Sequence, residues 1–245
     1  MEEKIQQHNT EILLNKSYWK KKPGLRKSYY HLYQKIESQI TDKSPGLTLE
    51  IGSGIGRIKD IIPYCTTSDI FQNPWLEKTE NAYQISFPDK SLSNIILFDV
   101  WHHLEFPIAF LKEAERVLKP GGKVILMEPD MSWIGRFVYG NFHHEPLAFQ
   151  HEFDLATFAK QNTYFAAQAS AWRFFVKKEL PIDFDHWKKP SIKRIVSFAY
   201  LASGGFSGPS FYPAFSYPII KVIDKLLGLF PSVFSARLLV VLEKR

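Results

Sequence analysis

The strongest constraint on this chain is the run Leu49-Glu50-Ile51-Gly52-Ser53-Gly54-Ile55-Gly56-Arg57. Thr48, Leu49 and Ile51 make a β-branched and apolar stretch of the kind that fills a buried strand. It ends in three glycines at alternate positions, Gly52, Gly54 and Gly56. Without a Cβ, glycine lets the chain turn sharply out of a strand and brings backbone N–H groups close to a ligand. A dinucleotide-binding turn spaces its glycines as G-x-G-x-x-G, whereas here the third comes one residue early. That spacing disfavours a dehydrogenase. An acid, Glu50, stands two positions before the first glycine.

Several later segments follow in a definite order. Tyr64 to Ile70 reads as a second strand ending in Asp69, whose carboxylate can accept two hydrogen bonds from vicinal hydroxyls. Asn81-Ala82 precedes Phe87-Pro88-Asp89, and Asn94 to Val100 is a continuous apolar run suited to a central parallel strand. Trp101-His102-His103-Leu104 then opens a helix striped by Leu104, Ile108, Leu111, Val117 and Leu118. Pro120-Gly121-Gly122 stops that helix, and Lys123 to Pro129 reads as another buried strand.

In this order, residues 45 to 130 resemble class I S-adenosylmethionine-dependent methyltransferases that act on small molecules. The resemblance rests on Glu50 to Gly56, on Asp69, on Asn81-Ala82 with Phe87, and on the stretch from His102-His103-Leu104 through Phe110-Leu111-Lys112-Glu113-Ala114-Glu115-Arg116-Val117-Leu118 to Glu128-Pro129. It implies an α/β, Rossmann-like, doubly wound and mostly parallel seven-stranded sheet with an antiparallel last strand. It implies S-adenosyl-L-methionine as cofactor and S-adenosyl-L-homocysteine as product. Glu50, Gly52, Ser53 and Gly54 are then expected at the cofactor, with Asp69 on its ribose, Ile70 beside it, Asn81 and Ala82 at the adenine, and Asp99 also in contact. The chain departs from the family pattern at Asn81, where Asp is usual, and at Ser86, where Pro is usual. Asn can still accept from an amine through its carbonyl.

The organisation reads as an N-terminal arm and helix (1–44), a cofactor-binding core (45–130) and an acceptor-binding elaboration with the final strand (131–245). Residues 1 to 27 are polar and suggest a mobile arm closing over the cofactor. A helix is predicted near 28–40, with Tyr29, Leu32, Tyr33, Ile36 and Ile40 on one face. Only eleven residues separate Asp69 from Asn81, too few for a full crossover helix. Beyond residue 130, Met131 to Gln161 and Pro181 to Trp187 are rich in aromatic residues and prolines, and resemble acceptor-pocket insertions. A helix near 217–230 is predicted to turn Ile219, Ile220, Ile223, Leu226, Leu227 and Phe230 inward, and Leu238 to Leu242 is the last strand. Core packing accounts for that stripe better than peripheral contact with a membrane.

A chain of 245 residues, 45% hydrophobic and 23% charged, suits one α/β domain with an elaboration. Its one cysteine, Cys65, leaves no internal disulfide. The first residues lack a secretory pattern, and no apolar run approaches the ~20 residues of a spanning helix, so a cytoplasmic protein is expected. Much of the net charge of +6 comes from Lys16, Lys20, Lys21, Lys22, Arg26 and Lys27, interleaved with aromatics. Such a cluster can meet phosphates or an anionic surface, or form the solvated face of an arm. No nucleic-acid module accompanies it, so nucleic acid is not expected as a partner.

Methyl transfer is an in-line displacement on an already activated methyl, so the protein mainly positions the partners and takes up a proton. The expected base is a His or carboxylate near the strand ends. His103, His102, His143 and Glu145 are the candidates, with His144 and Asp99 close in sequence. One of His102 and His103 is expected to face inward, either in catalysis or as a packed cap. His143-His144-Glu145 has the composition of metal ligands, but adjacent histidines seldom hold one ion, and no metal is expected. The leading expectation is methyl transfer to a small-molecule acceptor, as in O-methylation of a sugar or lipid-linked glycan. This rests on a further similarity to methyltransferases of bacterial surface-polysaccharide gene clusters. The alternatives are N- or C-methylation of an apolar aromatic or quinone-like acceptor, and a cofactor-binding partner subunit without activity.

Overall fold

A computed structural model describes residues 2–153, 165–179 and 185–245, and for residues 2–9 the backbone alone. The parts of the aromatic stretches at 154–161 and 181–184 therefore lie outside the described residues. Strands β1 (Thr48–Ile51), β2 (Thr66–Asp69), β3 (Lys78–Thr79), β4 (Leu92–Phe98), β5 (Leu118–Pro129), β6 (Ser191–Val196) and β7 (Ser235–Glu243) form one seven-stranded sheet. Its order is β3-β2-β1-β4-β5-β7-β6. β7 runs antiparallel to β5 and β6, and the remaining strands are parallel to one another. This is the expected Rossmann-like sheet. Strand order reverses between β1 and β4, so the crevice at their carboxyl ends is where such sheets bind ligands.

The continuous apolar strands follow from burial on both faces. Ile95 and Leu97, Val124 and Leu126, and Leu238 and Val240 point into one core with Phe110 and Leu111 of α3 (Pro107–Val117). Their alternates Ile96, Ile125, Met127, Leu239 and Val241 point into the other. There they meet Leu25, Tyr29, Leu32 and Ile36 of α2 (Pro23–Glu37).

Several local readings change. The N-terminal arm is helical: α1 (Glu2–Lys21) is followed by α2, which starts at Pro23, where a missing N–H is no loss. Its cations are engaged within the fold. Lys16 lies 3.0 Å over the Trp75 ring, Arg26 donates to the Trp19 and Lys20 carbonyls, and Lys22 to those of Gly205 and Gly208. His102 and His103 do not begin the helix; they form a 3-10 turn, Trp101–His103, and α3 starts at Pro107. Pro120-Gly121-Gly122 does not precede β5 but lies inside it. Leu118 already pairs with Leu92, and the register slips before Asn94 meets Lys123.

The largest change concerns α6 (Tyr217–Leu227). Its predicted inward stripe faces outward: Ile219 is 66% and Leu226 61% exposed, and Ile223 and Phe230 are exposed too. Of that stripe Ile220 is buried as expected, and the helix docks through it and Asp224. The Asp224 carboxylate accepts the Phe198 and Ala199 N–H groups at the start of α5 (Phe198–Ala202), at 2.7 and 3.3 Å. Those bonds fix which side of α6 meets the fold, overriding its apolar stripe. Among the described residues no helix is long and apolar enough to cross a membrane.

Candidate active site

The glycine turn leaves β1 with Gly52, Gly54 and Gly56 all left-handed, at φ 71°, 51° and 69°. At Gly52 a side chain would also run into Val100, which follows β4. Asp69, buried at the end of β2, accepts the Gly54 N–H through Oδ2 (3.0 Å) and the Ile70 N–H through Oδ1 (2.8 Å). Ser53 fastens the same junction, its N–H donating to the Ser68 carbonyl and its Oγ accepting the Ser68 N–H. The Trp75 indole donates to the Gly54 carbonyl at 2.9 Å. Under the turn Glu50 is fully enclosed, and its Oε2 has no hydrogen-bond partner among the described residues. Burial pushes its carboxyl up to about 8, with nearby Asp69 adding to the rise and a Ser53 hydrogen bond opposing it.

Not every predicted contact lies in this junction. Ile70 is more than half exposed, Ala82 belongs to the core beside α3, and Asn81 is exposed, its Oδ1 accepting the Tyr83 N–H at 2.9 Å.

Asp99, just past β4, has a left-handed backbone (φ 56°) and forms an ion pair with Arg237 of β7. Arg237 is buried, with its guanidinium 4.1 Å over the Tyr200 ring. Buried Tyr29, Tyr33 and Tyr139 gather around the same pair together with Tyr200. Burial, with Asp99 among the lesser causes, raises the pKa of each hydroxyl, so all four remain protonated. The sequence reading missed Arg237 and these tyrosines. The signal for Arg237 was a charged residue one place before the apolar run of the last strand.

On the other side of Asp99 the structure brings the four predicted catalytic residues together around one carboxylate. Glu145 is buried, and its oxygens lie 3.4 Å from His102 Nε2, 3.6 Å from His103 Nε2 and 3.7 Å from His143 Nδ1. The Gln168 amide donates to it. His102 is buried with Nδ1 2.6 Å from Glu128 Oε2, while Glu128 Oε1 accepts the Val100 and Trp101 N–H groups. Burial alone would lower the His102 pKa, but Glu128 and then Glu145 outweigh it and raise it to about 10. His103 goes the other way: burial and the neighbouring His102 lower it to about 4. Its Nδ1 lies 3.0 Å from the Phe165 carbonyl. His144 is mostly exposed, its ring stacked on His143. Glu128 and Gln168 were not among the predicted site residues. Glu128 showed itself only as an acid ending an apolar strand, and Gln168 carried no signal.

Residues 49–126, from the glycine turn through β5, match the family model for a methyltransferase domain. That match is to a methyltransferase domain, and it takes in this segment of the chain alone. The fold of the chain is shared by a SAM-dependent methyltransferase of Thermotoga maritima, a possible histamine N-methyltransferase (TM-score 0.52, 14% identity, covering 88% of this chain and 89% of that one). A SAM-dependent methyltransferase from Archaeoglobus fulgidus is similar to the same extent (TM-score 0.51, 13% identity, covering 93% and 98%). No curated protein matches the chain. The enclosed, unpartnered Glu50 oxygen and the turn that side chains would fill suit a ligand carrying an ammonium group.

Proposed function

We propose that this methyltransferase transfers the cofactor's methyl group to a hydroxyl of a sugar or lipid-linked glycan intermediate. The observation that carries this reading is the polar ring around Asp99. His103 and His143 lie near Asp99 beside Glu145, Arg237 pairs with it, and Tyr29, Tyr33 and Tyr200 stand close by. Such a ring offers both donors and acceptors to a polyhydroxylated molecule, and the aromatic faces can stack on sugar rings. An apolar quinone-like acceptor would make no use of these polar groups.

When bound, the cofactor supplies the activated methyl. In this reading the residues of the chain do the rest. Gly52, Ser53 and Gly54 present backbone to the methionine end, Glu50 faces its ammonium, and Asp69 accepts from the ribose hydroxyls. Ile70, Asn81 and Ala82 border the adenine. Glu145 and His103 take the hydrogen bond of the attacking hydroxyl, held in place by His102, Glu128 and Gln168. The outward apolar face of α6 supports a lipid-linked acceptor over a free sugar.

The test is methyl transfer from labelled S-adenosylmethionine to a panel of nucleotide-linked and lipid-linked sugars, the latter in vesicles, beside quinones and aromatic amines. Label in a sugar fraction that is lost in Glu145→Gln supports the reading. Label only in quinones or amines overturns it. Calorimetric binding of S-adenosylhomocysteine without turnover on any acceptor points to the inactive partner-subunit reading instead.

A further inference from the structure

We infer that His102, His103 and Glu145 form a binding site for a divalent transition-metal ion, of the zinc or cobalt kind. Their ligand atoms lie within 4.8 Å of one another, although the residues come from two distant parts of the chain. His102 Nε2 lies 3.4 Å from Glu145 Oε2, and His103 Nε2 lies 3.6 Å from the other oxygen, Oε1. Ligand atoms about 2.1 Å from a shared tetrahedral ion stand roughly 3.4 Å apart. Each of these two separations is close to that span and longer than a good direct hydrogen bond. The His103 side chain is 30% exposed and that of His102 3%, so solvent reaches the site from the His103 side.

The surroundings of each ligand agree. A metal-bound histidine usually offers one ring nitrogen to the ion and turns the other to a carboxylate or a backbone carbonyl. Both histidines are built this way. His102 turns Nδ1 to Glu128 at 2.6 Å, and His103 turns Nδ1 to the Phe165 carbonyl at 3.0 Å. Both Nε2 atoms are left on the Glu145 side. Glu128 is itself held by the Val100 and Trp101 N–H groups. Glu145 is held by the Gln168 amide, whose Oε1 has no hydrogen-bond partner among the described residues. Two imidazoles and one carboxylate is the protein donor set of many zinc sites, and it favours zinc or cobalt over magnesium. His143 and His144 stay outside the shell. His143 Nδ1 accepts the Glu145 N–H at 3.3 Å, and His144 faces solvent. His102 and His103 are adjacent as well, but in the 3-10 turn both offer Nε2 toward one carboxylate. The pair that converges on Glu145 comes from the turn after β4.

The site stands whatever the acceptor is, and it does not depend on the sugar reading. The competing arrangement is a proton on His102 shared between Glu128 and Glu145, which predicts no ion uptake. The test is titration of the full-length, metal-stripped protein with cobalt(II), followed by its visible absorption, with zinc as competitor and elemental analysis for stoichiometry. About one cobalt per chain with a four-coordinate spectrum, displaced by zinc, is expected. His103→Ala and Glu145→Gln should each weaken uptake at least tenfold. Glu128→Gln should weaken it roughly 10- to 100-fold by releasing the His102 ring. His144→Ala should leave it unchanged. Calorimetry with S-adenosylhomocysteine, whose binding should survive His103→Ala, separates loss of the ion from loss of the fold. No saturable uptake by the wild type overturns the site. So does uptake that persists in both His103→Ala and Glu145→Gln.

Discussion

The carboxylate of Asp69 reaches from the end of β2 to the N–H of Gly54, 3.0 Å away, and so ties the second strand to the glycine turn. Its other oxygen is bound to the Ile70 N–H at 2.8 Å. One side chain thus shapes the glycine turn, and in the proposed function it also receives the ribose. Asp69→Ala should weaken S-adenosylhomocysteine binding at least tenfold in calorimetry. It should also lower folding stability by roughly 1–3 kcal/mol, because two backbone donors lose their acceptor. Asp69→Asn, which keeps one acceptor oxygen, should fall between the two in both measurements. Wild-type affinity in the alanine variant would remove Asp69 from the cofactor site.

Gly52 is constrained twice, by its left-handed φ of 71° and by the Val100 side chain where a Cβ would go. Gly52→Ala should cost roughly 2–4 kcal/mol in urea unfolding. In a Val100→Ala background the steric part should be relieved, while the backbone part of about 1–2 kcal/mol persists. Equal costs in the two backgrounds would mean that Val100 does not limit the turn.

Glu50 gives the fold a pH signature. Its carboxyl is raised by burial from 4.5 to about 8, so it stays protonated in the folded chain where the unfolded chain has already ionised. The stability present below pH 4.5 is therefore lost as pH rises toward about 8, at up to about 1.4 kcal/mol per pH unit. Urea unfolding between pH 5 and pH 8 (about the span of this shift) should show that slope in the wild type and its loss in Glu50→Gln. If Glu50 meets the cofactor's ammonium, S-adenosylhomocysteine binding near pH 7 should release about one proton, read from calorimetry in buffers of different ionisation enthalpy. Glu50→Gln should release none.

The two sides of α6 should respond in opposite ways to substitution. Ile220 is buried, and Ile220→Ala should cost roughly 2–4 kcal/mol. Ile219 is exposed, and Ile219→Gln should change stability by less than about 0.5 kcal/mol despite the loss of an apolar side chain. A large loss at Ile219 would show that the face is covered in solution.

Much of the cofactor half was legible because its signals are local. The apolar runs of β1, β4 and β5 state burial on both faces, and the glycines after β1 state a turn that no other residue makes without strain. The position of Asp69 at the end of β2 was legible as well. The errors arose where a local pattern was ambiguous. Pro120-Gly121-Gly122 is both a helix stop and a tolerable irregularity in a strand, and pairing of Leu118 with Leu92 decided for the strand. The stripe on α6 stated which side is apolar but not which side is covered, since Asp224 capping α5 is a contact between distant segments.

The sequence by itself determined the sheet, the glycine turn and the residue types of the site. Periodicity and backbone freedom are properties of neighbouring residues. Only the tertiary structure decided that His102 and His103, carried at the end of β4, meet Glu145 more than forty residues later, with Glu128 and Gln168 behind them. It alone placed Arg237 of the final strand against Asp99. Burial of such charged and polar groups is favourable only when partners from other parts of the chain satisfy them. Those partnerships depend on how the layers close, which no local pattern encodes.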